Sequence, residues 1–168
     1  MRFSTVSLLL LLVCFSPRTM AGCLLSDASS VGFGNTDGSG DLAIRRVGSV
    51  SVACDGAYRV GLGAGMWAAD TRRLSDGAGN FISYRLWQDS GAKHEWGDVG
   101  ISPVTYPERS LKGRGRGDST LLPVYGTVSM PDPPPAGEYS DVVQVTLASP
   151  PYGPDDQETV NLQLTLRV

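Results

Sequence analysis

The single histidine, His94, lies in GAKHEWGD between Lys93 and Glu95, and its side-chain type is the one suited to general acid-base work near neutrality. A hydrolase built on it would also need a presented nucleophile, and no G-x-S-x-G turn occurs. The flanking glycines and charges predict an exposed loop histidine, so no catalytic residue is assigned. KGRGRGD, Lys112 to Asp118, clusters three cations among glycines that free the backbone to wrap a phosphate or polyanion. It lacks a following helix and a P-loop Lys-Ser/Thr, and reads as a mobile loop; the RGD within it is too short to carry weight. SDGAGN offers oxygens from Asp76 and Asn80 but lacks the alternate acids and closing Glu of a calcium loop, which predicts a hairpin turn instead. Trp67, Trp87 and Trp96, with Arg114 and Arg116, are the candidate ligand surface for a carbohydrate or polyanion. Core or rim packing is the plainer role for the tryptophans, and Trp87 falls on the opposite parity from Ile82, Tyr84 and Leu86.

Residues 1–21 read as a secretory signal: Arg2 starts it, Ser7 to Phe15 is an almost unbroken apolar run, and Thr19-Met20-Ala21 offers a cut. The run is too short to span a bilayer, and nothing later supplies the ~20 apolar residues a membrane helix needs. A soluble, exported mature chain without stable membrane insertion is expected, about 147 residues long and forming one domain over 22–168. The cut removes Arg2 and Arg18 but no acid, so the 14 basic side chains less these two leave 12 against 17 acidic ones, a net charge of about −5. That balance argues against nucleic acid as a partner. Cys14 leaves with the signal, and Cys23 and Cys54 remain as an even pair in an oxidising compartment. The economical reading is a bridge. The rival is a lipid on Cys23, since Met-Ala-Gly-Cys loosely resembles a lipobox; Pro17, Arg18 and Thr19 interrupt the apolar run, and Cys54 would then lack a partner. With one histidine and a bridged pair, no metal site or cofactor is expected.

The elements that must position these residues are strands. Apolar side chains alternate at Val50, Val52 and Cys54, then after DGA at Tyr58, Val60 and Leu62, then at Ile82, Tyr84 and Leu86. The pattern returns at Leu122, Val124 and Val128, at Val143, Val145 and Leu147, and at Val160, Leu162, Leu164, Leu166 and Val168. A period of two puts each set on one face. NTDGSGD, SDGAGN, QDSGAK, KGRGRGD, PDPPPAGE and SPPYGPDD read as the turns between them. No helical periodicity interrupts the series. The fold class is therefore all-β, an antiparallel β-sandwich that an inter-sheet or a strand-tethering disulfide suits. An edge as regular as ETVNLQLTLRV must be paired or it recruits a partner: it either closes its own sandwich or serves strand exchange between chains.

Early Cys23, VGFGN, VSVAC with YRVGLGAG, ISYRLWQDS leading to EWGD, LLPVYGTV and PPAGEYSDVVQVTL follow one another in an order that resembles the spore coat U (SCPU) domain family. Each motif is modest; the ordered set covers nearly all of residues 23–148. The resemblance implies a pilin-type, immunoglobulin-like sandwich, left incomplete for strand complementation. It further implies export, with a periplasmic pilus chaperone, an outer-membrane usher and other pilus subunits as partners, and polymerisation by donor-strand exchange. It also implies that Cys23 and Cys54 pair, which demotes the lipid. Gly137 and Tyr139 are expected to shape the start of the penultimate strand. The sequence departs from the family pattern at both ends, with no strand-length donor segment between the expected cut and Cys23 and with an extra alternating strand after SPPYGPDD. The expected function is that of a non-enzymatic, exported structural surface protein, a tip or minor subunit of a chaperone-usher pilus, passing through the periplasm to the cell surface. The alternative is a self-complemented secreted carbohydrate- or polyanion-binding module or a spore or cell coat protein.

Overall fold

The computed structural model describes residues 22–168, and the expected signal peptide lies outside them. Strands follow in the order β1 (Cys23–Ala28), β2 (Val31–Asn35), β3 (Leu42–Leu62), β4 (Arg72–Ser75), β5 (Phe81–Trp87), β6 (Leu111–Ser129), β7 (Glu138–Ala148) and β8 (Gln157–Arg167). Their spatial order is β1-β3-β6-β5-β4-β7-β8-β2, with a further pairing of β3 to β7. The architecture is all-β, as the alternation predicts, and immunoglobulin-like, as the family resemblance implies.

Two long strands organise it. β3 and β6 pair antiparallel from Leu42 opposite Val128 to Val60 opposite Leu111, a ribbon too long to remain flat under the native twist of paired strands. Register shifts at Leu42/Arg45, Arg46/Gly48 and Ala53/Asp55 sharpen its bend. Beyond the last shift, Arg59 to Leu62 also pair with Ala148 to Val145 of β7. β3 thus belongs to one layer, β1-β3-β6-β5-β4, along most of its length and to the other, with β7, β8 and β2, at its end. The inward faces carry Val50, Val52, Tyr84, Leu86, Val124 and Val128 from the first layer and Val31, Phe33, Val143, Val145, Leu162 and Leu164 from the second, all at most 2% exposed.

The alternation that resumes after DGA belongs to the same strand: Asp55, Gly56 and Ala57 stay in β3 opposite Arg116, Gly115 and Arg114, with Gly56 at φ +120° taking up the bend. One sequence expectation is corrected here. KGRGRGD is not a mobile loop but the first half of β6, with Lys112, Arg114 and Arg116 outward and Gly113 and Gly115 inward. Those glycines serve close approach. A Cβ on Gly113 would enter the Tyr58 ring, and one on Gly115 would overlap the Cys54 carbonyl. The remaining predicted turns all lie between strands.

Cys23 and Cys54 form a disulfide directly across the β1–β3 pairing, and Cys54 is buried in the core. The bridge pins edge strand β1. It closes a loop with a sequence separation of 31, for which loop-closure entropy gives about 3 to 4 kcal/mol. Cys23→Ala/Cys54→Ala should lower the unfolding free energy by about that amount in urea titration, and reduction of the native chain should lower it equally.

Candidate functional site

The site begins with the feature that completes the sandwich. β8 pairs antiparallel with β7 along its whole length, from Gln157 opposite Ala148 to Arg167 opposite Glu138. On its other edge it pairs parallel with β2, with Val31 opposite Leu164 and Gly32 opposite Thr165. Leu162, Leu164 and Leu166 are at most 1% exposed, whereas Val160 and Val168 at the strand ends are partly buried. The alternation forces this result: one face of β8 can enter the space between the layers, and Asn161, Gln163 and Arg167 then point out. Both ends are fastened. Glu158 Oε2 accepts from the Leu25 N–H at 2.6 Å, and Gly137 and Val168 exchange backbone hydrogen bonds of 3.0 and 2.9 Å. A tight connection returns the chain from β7, with Tyr152 N–H donating to Ser149 O at 2.7 Å and Gly153 N–H to Asp156 Oδ2 at 2.8 Å. The Arg59 guanidinium lies 4.5 Å from the centre of the Tyr152 ring. Tyr139, buried near the start of β7, donates its hydroxyl to Pro135 O at 2.8 Å.

Beside this strand the core holds a polar network that the sequence reading missed. Asp141 of β7 is 1% exposed and accepts from the Tyr84 hydroxyl at 2.6 Å and from the N–H groups of Met66 and Val142, each at 2.8 Å. Gly65, at φ +93°, is packed so closely on Asp141 that a Cβ would collide with Oδ2. Arg72, fully buried, donates Nε to Gly63 O at 2.8 Å and Nη2 to Leu62 O at 2.6 Å, and its guanidinium lies 4.0 Å from the Tyr106 ring centre. Burial lowers the Arg72 pKa, raises that of Asp141 despite its donors, and drives that of Tyr84 well up, with the neighbouring Asp141 charge adding to the last. The network clamps the 62–67 segment to β7 and β5. A signal for it was present, because Asp141 shares the inward parity of Tyr139, Val143 and Val145, and Arg72 that of Leu74.

The three tryptophans do not form one surface. Trp96 is fully buried and donates Nε1–H to Val60 O at 2.9 Å, so it is core. Trp67 is exposed against Phe81, with ring centres 6.4 Å apart. Trp87 is half-buried on the outer face of β5, opposite Tyr125 of β6, and its Nε1–H donates to Thr127 Oγ1 at 3.1 Å. Arg114 and Arg116 lie exposed on the first half of β6 and not beside them in the β5 pairing.

His94 sits in the loop after β5, and its ring bonds only Asp89 among the described residues, at 3.0 Å. Burial opposes the Asp89 charge, but N–H groups of His94, Lys93 and Gly91 and the imidazole outweigh it and hold the carboxyl below its ordinary pKa. Asp76 is occupied by Ala78 N–H, Asn80 N–H and the Asn80 side chain, which organises the β4–β5 hairpin turn.

Eight strands in this order, with a disulfide across the first pairing and the terminal strand laid beside β7, define a pilin-type sandwich. The chain belongs to the family of the Spore Coat Protein U domain, whose model matches residues 9–146. No curated protein sequence is significantly similar to it. Among solved structures it is similar to the CooA pilin subunit of enterotoxigenic Escherichia coli, at 12% identity and a TM-score of 0.50 over 87% of this chain and 96% of that one. It is also similar to the CupB6 tip adhesin of Pseudomonas aeruginosa, at 10% identity and a TM-score of 0.52 over 88% of this chain and 44% of that one. The chain therefore spans less than half of that adhesin's length. At these identities the likenesses establish the fold.

Proposed function

We propose that this protein is an exported, non-enzymatic structural subunit of a fibrous or coating cell-surface assembly, whose sandwich is completed by its own β8. The observation that carries this reading is the seating of β8 between β7 and β2, where three leucines fill the interlayer space. Membership of the spore coat U family and the pilin-type fold support the surface assembly. In this reading β8 takes the place that a neighbour's donor strand takes in an open subunit. The subunit leaves the cell through a periplasmic chaperone and an outer-membrane usher, and occupies a minor position because its groove is filled. The possession of β8 also supports a second reading, in which β8 holds the groove only until a donor strand displaces it and the subunit joins other pilus subunits by exchange.

Gold-tagged antibody on producing cells, imaged by electron microscopy, tests the assembly. Label on thin fibres is expected, with label spread over the cell or spore surface marking a coat and protein found only in the medium refuting both. A lock distinguishes the two readings. Gln144 and Asn161 face each other across β7 and β8 with both side chains exposed, and Gln144→Cys/Asn161→Cys should tie β8 in place. Assembly of the locked variant at the wild-type level is the result expected for self-completion; its exclusion from fibres would establish exchange.

A further inference from the structure

We propose that the outer face of β5 and β6 is a binding site for an acidic polysaccharide, a linear polymer of carboxylate-bearing sugars, in a groove whose centre is Arg85. Two clefts meet at that side chain. One, of about 470 Å³, is lined by Arg85, Trp87, Lys93, His94, Glu95 and Arg109 among others. The other, of about 460 Å³, is lined by Arg85 with the hydroxyl residues Thr71, Ser83, Thr127 and Ser129 and by Asp41.

Three cations, Arg85, Lys93 and Arg109, line the first cleft against one acid, Glu95, which accepts from the Tyr106 hydroxyl at 2.9 Å and from Arg109. Asp89, at the base of the loop, binds the N–H groups of Gly91, Lys93 and His94 and the His94 ring. Asp41, in the second cleft, accepts from the Met130 N–H at 2.6 Å. Arg85 and Lys93 make no ion pair with any described residue. A cationic cleft on a chain of net charge −3 is a local feature and not a reflection of composition, and it attracts an anion over about a Debye length.

Trp87 decides which anion. Its indole is held by the bond to Thr127 beside the cations, and a fixed, half-exposed aromatic face suits the apolar face of a pyranose ring. The neighbouring hydroxyls of Ser83, Thr127 and Ser129 match sugar hydroxyls. Carboxylates spaced along a sugar chain would then meet Arg85 and Lys93, with Arg85 the shared contact between successive residues.

The test is binding of alginate to the full folded chain by titration calorimetry, with neutral dextran and inorganic polyphosphate as controls. Alginate should bind with an affinity that falls as salt rises, and Arg85→Ala/Lys93→Ala should weaken it at least about tenfold. Both side chains are outward or loop residues, so this variant keeps the wild-type melting temperature. Trp87→Ala should weaken alginate binding by a similar factor. Absence of alginate binding would overturn the proposal, and so would dextran binding as well as alginate. Polyphosphate binding equal to that of alginate, with Trp87→Ala without effect on either, would reduce the site to a patch of surface charge and overturn it too.

Discussion

A chain truncated after Asp156 does not fold alone, and a synthetic peptide of residues 157–168 added to it restores the native state. This is the result expected from the seating of β8. Leu162, Leu164 and Leu166 are each at most 1% exposed, and burying a leucine is worth about 1.5 to 3 kcal/mol. Loss of the three alone removes about 5 to 9 kcal/mol, which matches the whole stability of an ordinary domain. The ladder to β7 and the parallel pairing to β2 disappear with them. Val31, Phe33, Val143 and Val145, none of them exposed in the intact fold, would then line an open groove, and the truncated chain should aggregate or bind a hydrophobic dye. Near-ultraviolet circular dichroism reports rescue, since Trp96 is fully buried in the native core. A truncated chain that keeps the native melting temperature would mean that β8 lies on the fold without completing it, and self-completion would be wrong.

The strand was legible because its pattern is long and strict. Five apolar positions at a period of two leave one way to orient it. Its neighbours were not legible, since periodicity fixes a face and says nothing of which edge it joins; the parallel contact with β2 rests on only a few residues of VGFGN. KGRGRGD shows the opposite failure. Glycine density signals a turn, yet Lys112, Arg114 and Arg116 already alternate, and that period marked the strand. What demanded glycine was the Tyr58 ring over Gly113 and the disulfide-bearing Cys54 against Gly115, contacts between segments far apart in sequence. The tryptophans divide for a similar reason. Trp87 was placed off the core by parity and sits outward as that predicts, whereas Trp96 follows an irregular loop where no period applies. Asp141 and Arg72 escaped because the apolar residues alone were counted. Extending the inward parity one step from Val143 reaches a carboxylate, and a charge at an inward position marks a buried polar network.

Asp141→Ala should destabilise the protein by about 4 kcal/mol or more, the largest loss from any single side chain in the network. Its removal leaves the Tyr84 hydroxyl and the Val142 N–H without their acceptor, at about 1 to 3 kcal/mol for each buried group left unsatisfied, while the Met66 N–H keeps only its 3.1 Å bond to Val142 O. It also removes a negative charge that acts on the fully buried Arg72 guanidinium. Asp141→Asn separates the two losses. The amide oxygen still accepts from the two N–H groups and the Tyr84 hydroxyl turns to accept from the amide nitrogen, so the cost should fall to about 1 to 2 kcal/mol. The pH dependence separates them again. Burial raises the Asp141 pKa in the folded state above its ordinary 3.8, so between 3.8 and that raised value the folded chain holds a proton the unfolded chain has released. Stability contributed by this group is full below that window and falls as pH rises through it. Asp141→Asn has nothing to titrate there and should lose that downward slope, which urea titrations at a series of acidic pH values would measure. If Asp141→Ala costs no more than Asp141→Asn and leaves the slope in place, the carboxylate does not hold the 62–67 segment, and the clamp beside β8 must rest on Arg72 alone.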